Sequence, residues 1–140
     1  METNRIACAF IARTLPKSEW THHAHLRVGL WHLLHHPESI ALGLLRERIR
    51  AYNEATGVVN TESGGYHETI THFYLHLIRV FLEAVDPARP VDDLARELIE
   101  RYGEHDLVLR YYSRERLFSP EARRCWLEPE LLPLPRAAGP

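Results

Sequence analysis

Ten histidines occur in 140 residues, and six of them fall between His22 and His36. Imidazole titrates near neutral pH, and its neutral form is a good ligand for zinc, iron, nickel or copper. On one helix, at about 100° per residue, His22, His25, His32 and His36 share a stripe that includes Gly29. Trp20, Ala24, Val28, Leu30, Trp31 and Leu34 cover most of the rest. Glu19 and His22 are three apart and can face one point, as are His22 and His25, and each spacing suits a pair of ligands from one helical turn. His23 projects toward the apolar side and is expected as a hydrogen-bonded core residue. His35 and His36 close the helix, where the dipole favours a cation.

A second cluster, Gly65-Tyr66-His67-Glu68-Thr69-Ile70-Thr71-His72, opens a later helix. His67 shares a face with Ile70, Thr71, Tyr74 and Ile78, so it is expected to point inward. Glu68, His72 and His76 form a stripe on a wetter face. Together the two clusters predict a metal site. His22, His25 and His67 would be ligands, Glu19 or Glu68 a fourth, and Glu68 otherwise a general base. Tyr66 and Tyr74 would supply hydrogen bonds. The expected cofactor is a divalent transition metal, zinc or iron, with an open position to activate water or a small-molecule substrate. Three histidines would favour zinc, and two with a carboxylate would favour iron. One rival is a metal-free binding or regulatory module with a polar pocket around His67, Thr71 and Tyr74. The same module could use His67 and Glu68 as acid and base. Another rival is a structural protein that dimerises through apolar helix faces.

Other motifs are weaker. His67 and His72 are five apart, so the pair is not the four-apart zinc-protease motif. Gly64-Gly65 before a helix could hold an anion, but two glycines alone say little. Arg123 and Arg124 could lower the Cys125 thiol pKa, although a lone cysteine in an apolar helix is usually core.

The elements that must carry these residues are helical. Arg5 to Arg13 is apolar-rich and short, either a helical turn or an extended arm. Ser18 is a plausible N-cap for a helix that ends at His36, before Pro37. A second helix, with Ile40, Leu44, Leu45, Ile49 and Tyr52 at helical spacing, ends at Gly57. Val58 to Gly65 is a loop. A third helix runs from Tyr66 or His67 to Val85, and a fourth from Val91 to Tyr102. Leu107 to Tyr112 could be a short helix. Ser119-Pro120 starts a last one that holds Cys125 and Trp126. A proline-rich tail follows from about residue 129 to Pro140, with Leu131, Leu132 and Leu134 as its packing residues. The expected fold is an all-α, single-domain bundle of five to six helices over residues 1–140.

Composition fits this. Hydrophobic content of 45% and charged content of 26% are ordinary for a globular protein. A net charge of -2 argues against a sequence-independent nucleic-acid binder. No apolar run reaches the roughly 20 residues of a membrane span. Two distant cysteines and no basic-then-apolar N-terminal pattern lead to an expected cytoplasmic location.

Three segments carry a resemblance: Trp20-Thr21-His22-His23-Ala24-His25-Leu26, Gly65-Tyr66-His67-Glu68-Thr69-Ile70-Thr71, and Phe118 to Arg123 with Trp126 to Leu131. They resemble a family of small bacterial all-helical proteins with His-x-x-His-Leu and Tyr-His-Glu-Thr motifs. The resemblance implies a helical fold and raises His22, His25 and His67 above the other histidines. It implies no particular reaction.

Overall fold

Proline and glycine set the joints of this chain. Pro37 and Pro90 stand as N-caps, where no backbone N–H is needed for the helix. Gly57 turns the chain after a long helix with φ at 83°. The computed structural model describes residues 1–136. The helices are α1 (Glu2–Ile11), α2 (His22–His35), α3 (Glu38–Ala55), α4 (Glu68–Glu83), α5 (Val91–Tyr102), α6 (Arg114–Leu117) and α7 (Pro120–Arg124). Two 3₁₀ turns lie at Lys17–Glu19 and Leu107–Arg110. Among the described residues there is no strand, and no helix is long and apolar enough to cross a membrane.

The architecture is the expected helical bundle, with seven α-helices among the described residues. The apolar-rich N-terminal stretch is a helix, not an arm. It buries Ile6, Ala7 and Phe10, and Phe10 stacks on Trp20 with centroids 4.5 Å apart. Its first backbone N–H groups are capped from far away: Glu2 and Thr3 donate to the Asp92 carboxylate of α5 at 3.1 and 2.9 Å. Those bonds hold Asp92 well below the usual carboxylate range, at about 2.

Helix α4 lies at the centre. One side packs with α2 and α5 through Leu26, Leu30, Ile78, Phe81, Leu94 and Leu98. The other packs through Phe73 and Leu77 against Leu107, Val108, Tyr112 and Leu117. Helices α2 and α4 approach closely at Gly29, where an added Cβ would stand 2.7 Å from Ile78 Cδ1.

The last α-helix stops at Arg124, one residue before Cys125, which is exposed and not core. The chain then wraps back over α4. The Thr69 hydroxyl donates to Cys125 O at 2.9 Å and accepts from Leu127 N–H at 3.1 Å. Tyr112 donates to Leu127 O, and Leu131 N–H to Tyr111 O. Leu134 packs on the Phe73 cluster, while Leu131 and Leu132 are exposed. The tip of the proline-rich tail, including Pro140, lies outside the described residues.

Candidate functional site

The first histidine helix begins later than the spacing suggested. Thr21, not Ser18, is the N-cap of α2, and its side chain accepts from Ala24 N–H at 3.2 Å. Trp20 and Thr21 have non-helical backbone between the 3₁₀ turn and α2. Glu19 therefore does not extend the His22–His25 face. Its carboxylate pairs with Arg5 at 3.0 Å.

His22 and His25 line one cavity of about 450 Å³ between α2, α3 and α4. Its apolar walls include Leu26, Leu45, Ile49, Ile70, Leu75 and Ile78. Trp20 flanks it, and its polar groups come from Thr21, His22, His25, Thr71, Tyr74 and His105. The His22 ring meets Tyr74 edge-on at 5.2 Å and His105 at 5.9 Å. His22 Nε2 and the Tyr74 hydroxyl are both fully buried, and neither has a hydrogen-bond partner among the described residues. Buried polar atoms are rarely left that way.

The surroundings set the protonation states. Burial pushes His22 below the ordinary imidazole value, an effect partly offset by the nearby Tyr102 backbone. Burial raises Tyr74 to about 12, against the nearby Val108 backbone, which lowers it. His25 is exposed on its outer side, while the Trp20 ring, 3.8 Å away, covers one face, and this cover lowers its pKa. Its Nδ1–H donates to Thr21 O at 2.7 Å, which leaves Nε2 as the acceptor. At neutral pH His22, His25 and Tyr74 are thus uncharged where they line the cavity.

His67 is buried, as its spacing suggested, but with another task. It is the N-cap of α4: Nδ1 accepts from Ile70 N–H at 3.1 Å, and Nε2–H donates to Leu117 O at 2.6 Å. Both ring nitrogens are engaged, and His67 does not line the cavity. Thr71 and Tyr74, grouped with it by spacing, line the cavity with His22 instead.

Glu68 is buried rather than on a wet face. Arg46 donates to both its oxygens at 2.9 and 2.6 Å, and Tyr66 O–H to Oε1 at 2.7 Å. Burial alone would raise Glu68, but these bonds outweigh it and hold the carboxyl below its usual range. Burial and the Glu68 bond push the Tyr66 phenol up. Such a saturated carboxylate is a poor general base.

The stripe of His72 and His76 is covered by the chain end. His72 lies 4.1 Å from the Trp126 ring, and His76 Nε2–H donates to Pro135 O. His23 is exposed instead of buried. His32 is the histidine that reaches the core, fully buried, with Nδ1–H donating to Val28 O and Nε2 accepting from Arg48.

The ligand set read from spacing is thus divided. His22 and His25 share a cavity, His67 caps a helix and Glu19 binds Arg5. Among the described residues, no three or more His, Cys, Asp or Glu side chains form a group that could hold a metal ion. Spacing missed His105, which enters the cavity from the loop after α5 with no signal of its own. No family model, curated protein or solved structure matches the chain.

Proposed function

We propose that this chain binds a small, neutral, largely apolar molecule between α2, α3 and α4, and holds its polar end between His22 and Tyr74. The observation that carries the reading is a pair of buried polar atoms, partnerless among the described residues, on two side chains that line one apolar cavity. A volume of about 450 Å³ lies in the range of small-molecule sites, and few polar groups on apolar walls is their usual composition. Neutral imidazoles and a neutral phenol favour a hydroxyl or amide over an ion, because an unpaired charge is costly in such walls. A ligand hydroxyl can accept from Tyr74 O–H and donate to an imidazole nitrogen.

The test is titration calorimetry with 2-naphthol and 2-methoxynaphthalene, the second lacking the donor. 2-Naphthol is expected to bind at least about tenfold more tightly, the worth of one well-made buried hydrogen bond. His22→Leu, which removes the imidazole acceptor, should remove most of that difference, whereas Tyr74→Phe should weaken both probes. Equal binding of both probes, or no binding, would overturn the reading. The titration is run with chelator and again with zinc or iron(II). Binding that survives the chelator supports the metal-free reading. Binding that requires a metal would favour the metal-dependent enzyme that the His22–His25 spacing first suggested.

A further inference from the structure

A second cavity, of about 460 Å³, shares no lining residue with the first. It lies where α3, the loop before α4 and α7 meet. Its cations are Arg50, Arg123 and Arg124, and its acids are Glu54 and Glu62. Glu62 pairs with Arg124 at 3.6 Å through two exposed side chains, a contact worth little in water. Among the described residues, neither Arg50 nor Arg123 has a carboxylate within salt-bridge distance.

The two free guanidiniums are held differently. Arg50 lies over the Tyr66 ring, 5.1 Å from its centroid, a cation–π contact that uses none of its N–H donors. Arg123 Nη1 donates to Gly65 O at 3.0 Å and Tyr66 O at 3.4 Å. Its Nε is fully buried and has no hydrogen-bond partner among the described residues. A half-buried guanidinium with a buried, unused donor and no counter-charge is an expensive arrangement. The loop is held in place as well. Asn60 Oδ1 accepts from Tyr66 N–H at 2.9 Å and from Asn53 Nδ2 at 3.0 Å. Gly65 has φ at 81°, and a Cβ there would stand 2.7 Å from Val59 O.

We propose that this cavity binds a small phosphate-bearing anion through Arg50, Arg123 and Arg124. Guanidinium forks pair with phosphate or carboxylate oxygens. Here they come from two helices, α3 and α7. A tetrahedral group, with oxygens in several directions, can meet both, whereas a flat carboxylate presents two oxygens in one plane. The site is independent of the first cavity.

The experiment follows inorganic pyrophosphate by ³¹P NMR titration of the full chain at about 0.15 M salt, where distant surface charge is screened. Saturable binding is expected. Arg50→Gln and Arg124→Gln should each weaken it at least about fivefold, and the exposed arginine variant Arg101→Gln should not. Arg123 is not the variant of choice, because it also supports the loop. 2-Naphthol binding in Arg50→Gln should be unchanged, so failure here stays distinct from failure of the first reading. A parallel arm sediments the protein with vesicles containing phosphatidic acid. No saturable pyrophosphate binding, or equal loss in Arg101→Gln, would overturn the proposal, and so would sedimentation with vesicles when pyrophosphate does not bind.

Discussion

At the residue scale, each imidazole is defined by what its two nitrogens touch. His32 and His67 spend both on protein partners, whereas His22 keeps a buried nitrogen without one. This separates structural from functional candidates, and residue spacing does not contain it. Tyr74→Phe removes a hydroxyl that has no well-formed hydrogen bond among the described residues and only the Val108 backbone nearby, so it should leave stability within about 1 kcal/mol of wild type in urea unfolding. The same change should weaken 2-naphthol binding, and a large stability loss instead would mean that the hydroxyl serves the fold. His32 makes a pH prediction. Burial lowers its pKa from 6.5 to about 4, so the unfolded chain takes up a proton that the folded one refuses. Its contribution is full above pH 6.5 and is lost as pH falls toward 4, about 3 kcal/mol in all. Urea midpoints on both sides of pH 6.5 should fall on the acid side, and His32→Gln should flatten that slope.

At the element scale, joints were legible and coverings were not. Pro37, Pro90 and the Ser119-Pro120 pair marked helix starts because proline restricts its own φ and that of its neighbour. Helix α5 lies where its pattern placed it, from Val91 to Tyr102. The start of α2 was misread by three residues, because Ser18 and Thr21 are both capable caps and local sequence does not rank them. That shift took Glu19 out of the candidate site. The faces of α4 were misread for another reason. Periodicity gives a helix face its polarity, but a segment 56 to 59 residues later covers that face, as the bonds from Thr69 to Cys125 and from His76 to Pro135 show. His105 was illegible in the same way, since a loop residue reaches a cavity only through tertiary packing. Two substitutions test these elements. Glu68→Ala would leave Arg46 and Tyr66 without their acceptor, and thermal unfolding should show a loss of about 1–3 kcal/mol. Gly65→Ala would force a side chain into positive φ against Val59 O, and should cost at least about 1 kcal/mol.

At the scale of the whole molecule, α4 is the shared wall. It contributes Ile70, Thr71, Tyr74, Leu75 and Ile78 to the first cavity, and its reverse side carries the wrapped C-terminal segment. Truncation after Arg124 removes Trp126, Leu127 and Leu134 from that side. It should lower the thermal midpoint and expose the Phe73 cluster to a hydrophobic dye, and an unchanged midpoint would show that the segment is a passive covering. The Asp92 cap of α1 has a consequence of another kind, in the order of synthesis. A ten-residue helix is marginal alone, and the carboxylate that completes this one lies 90 residues downstream of Glu2. While the chain emerges at about 5–20 residues per second, α1 must wait several seconds for its cap. Until then its apolar face, with Ile6 and Phe10, is a surface open to a nascent-chain chaperone.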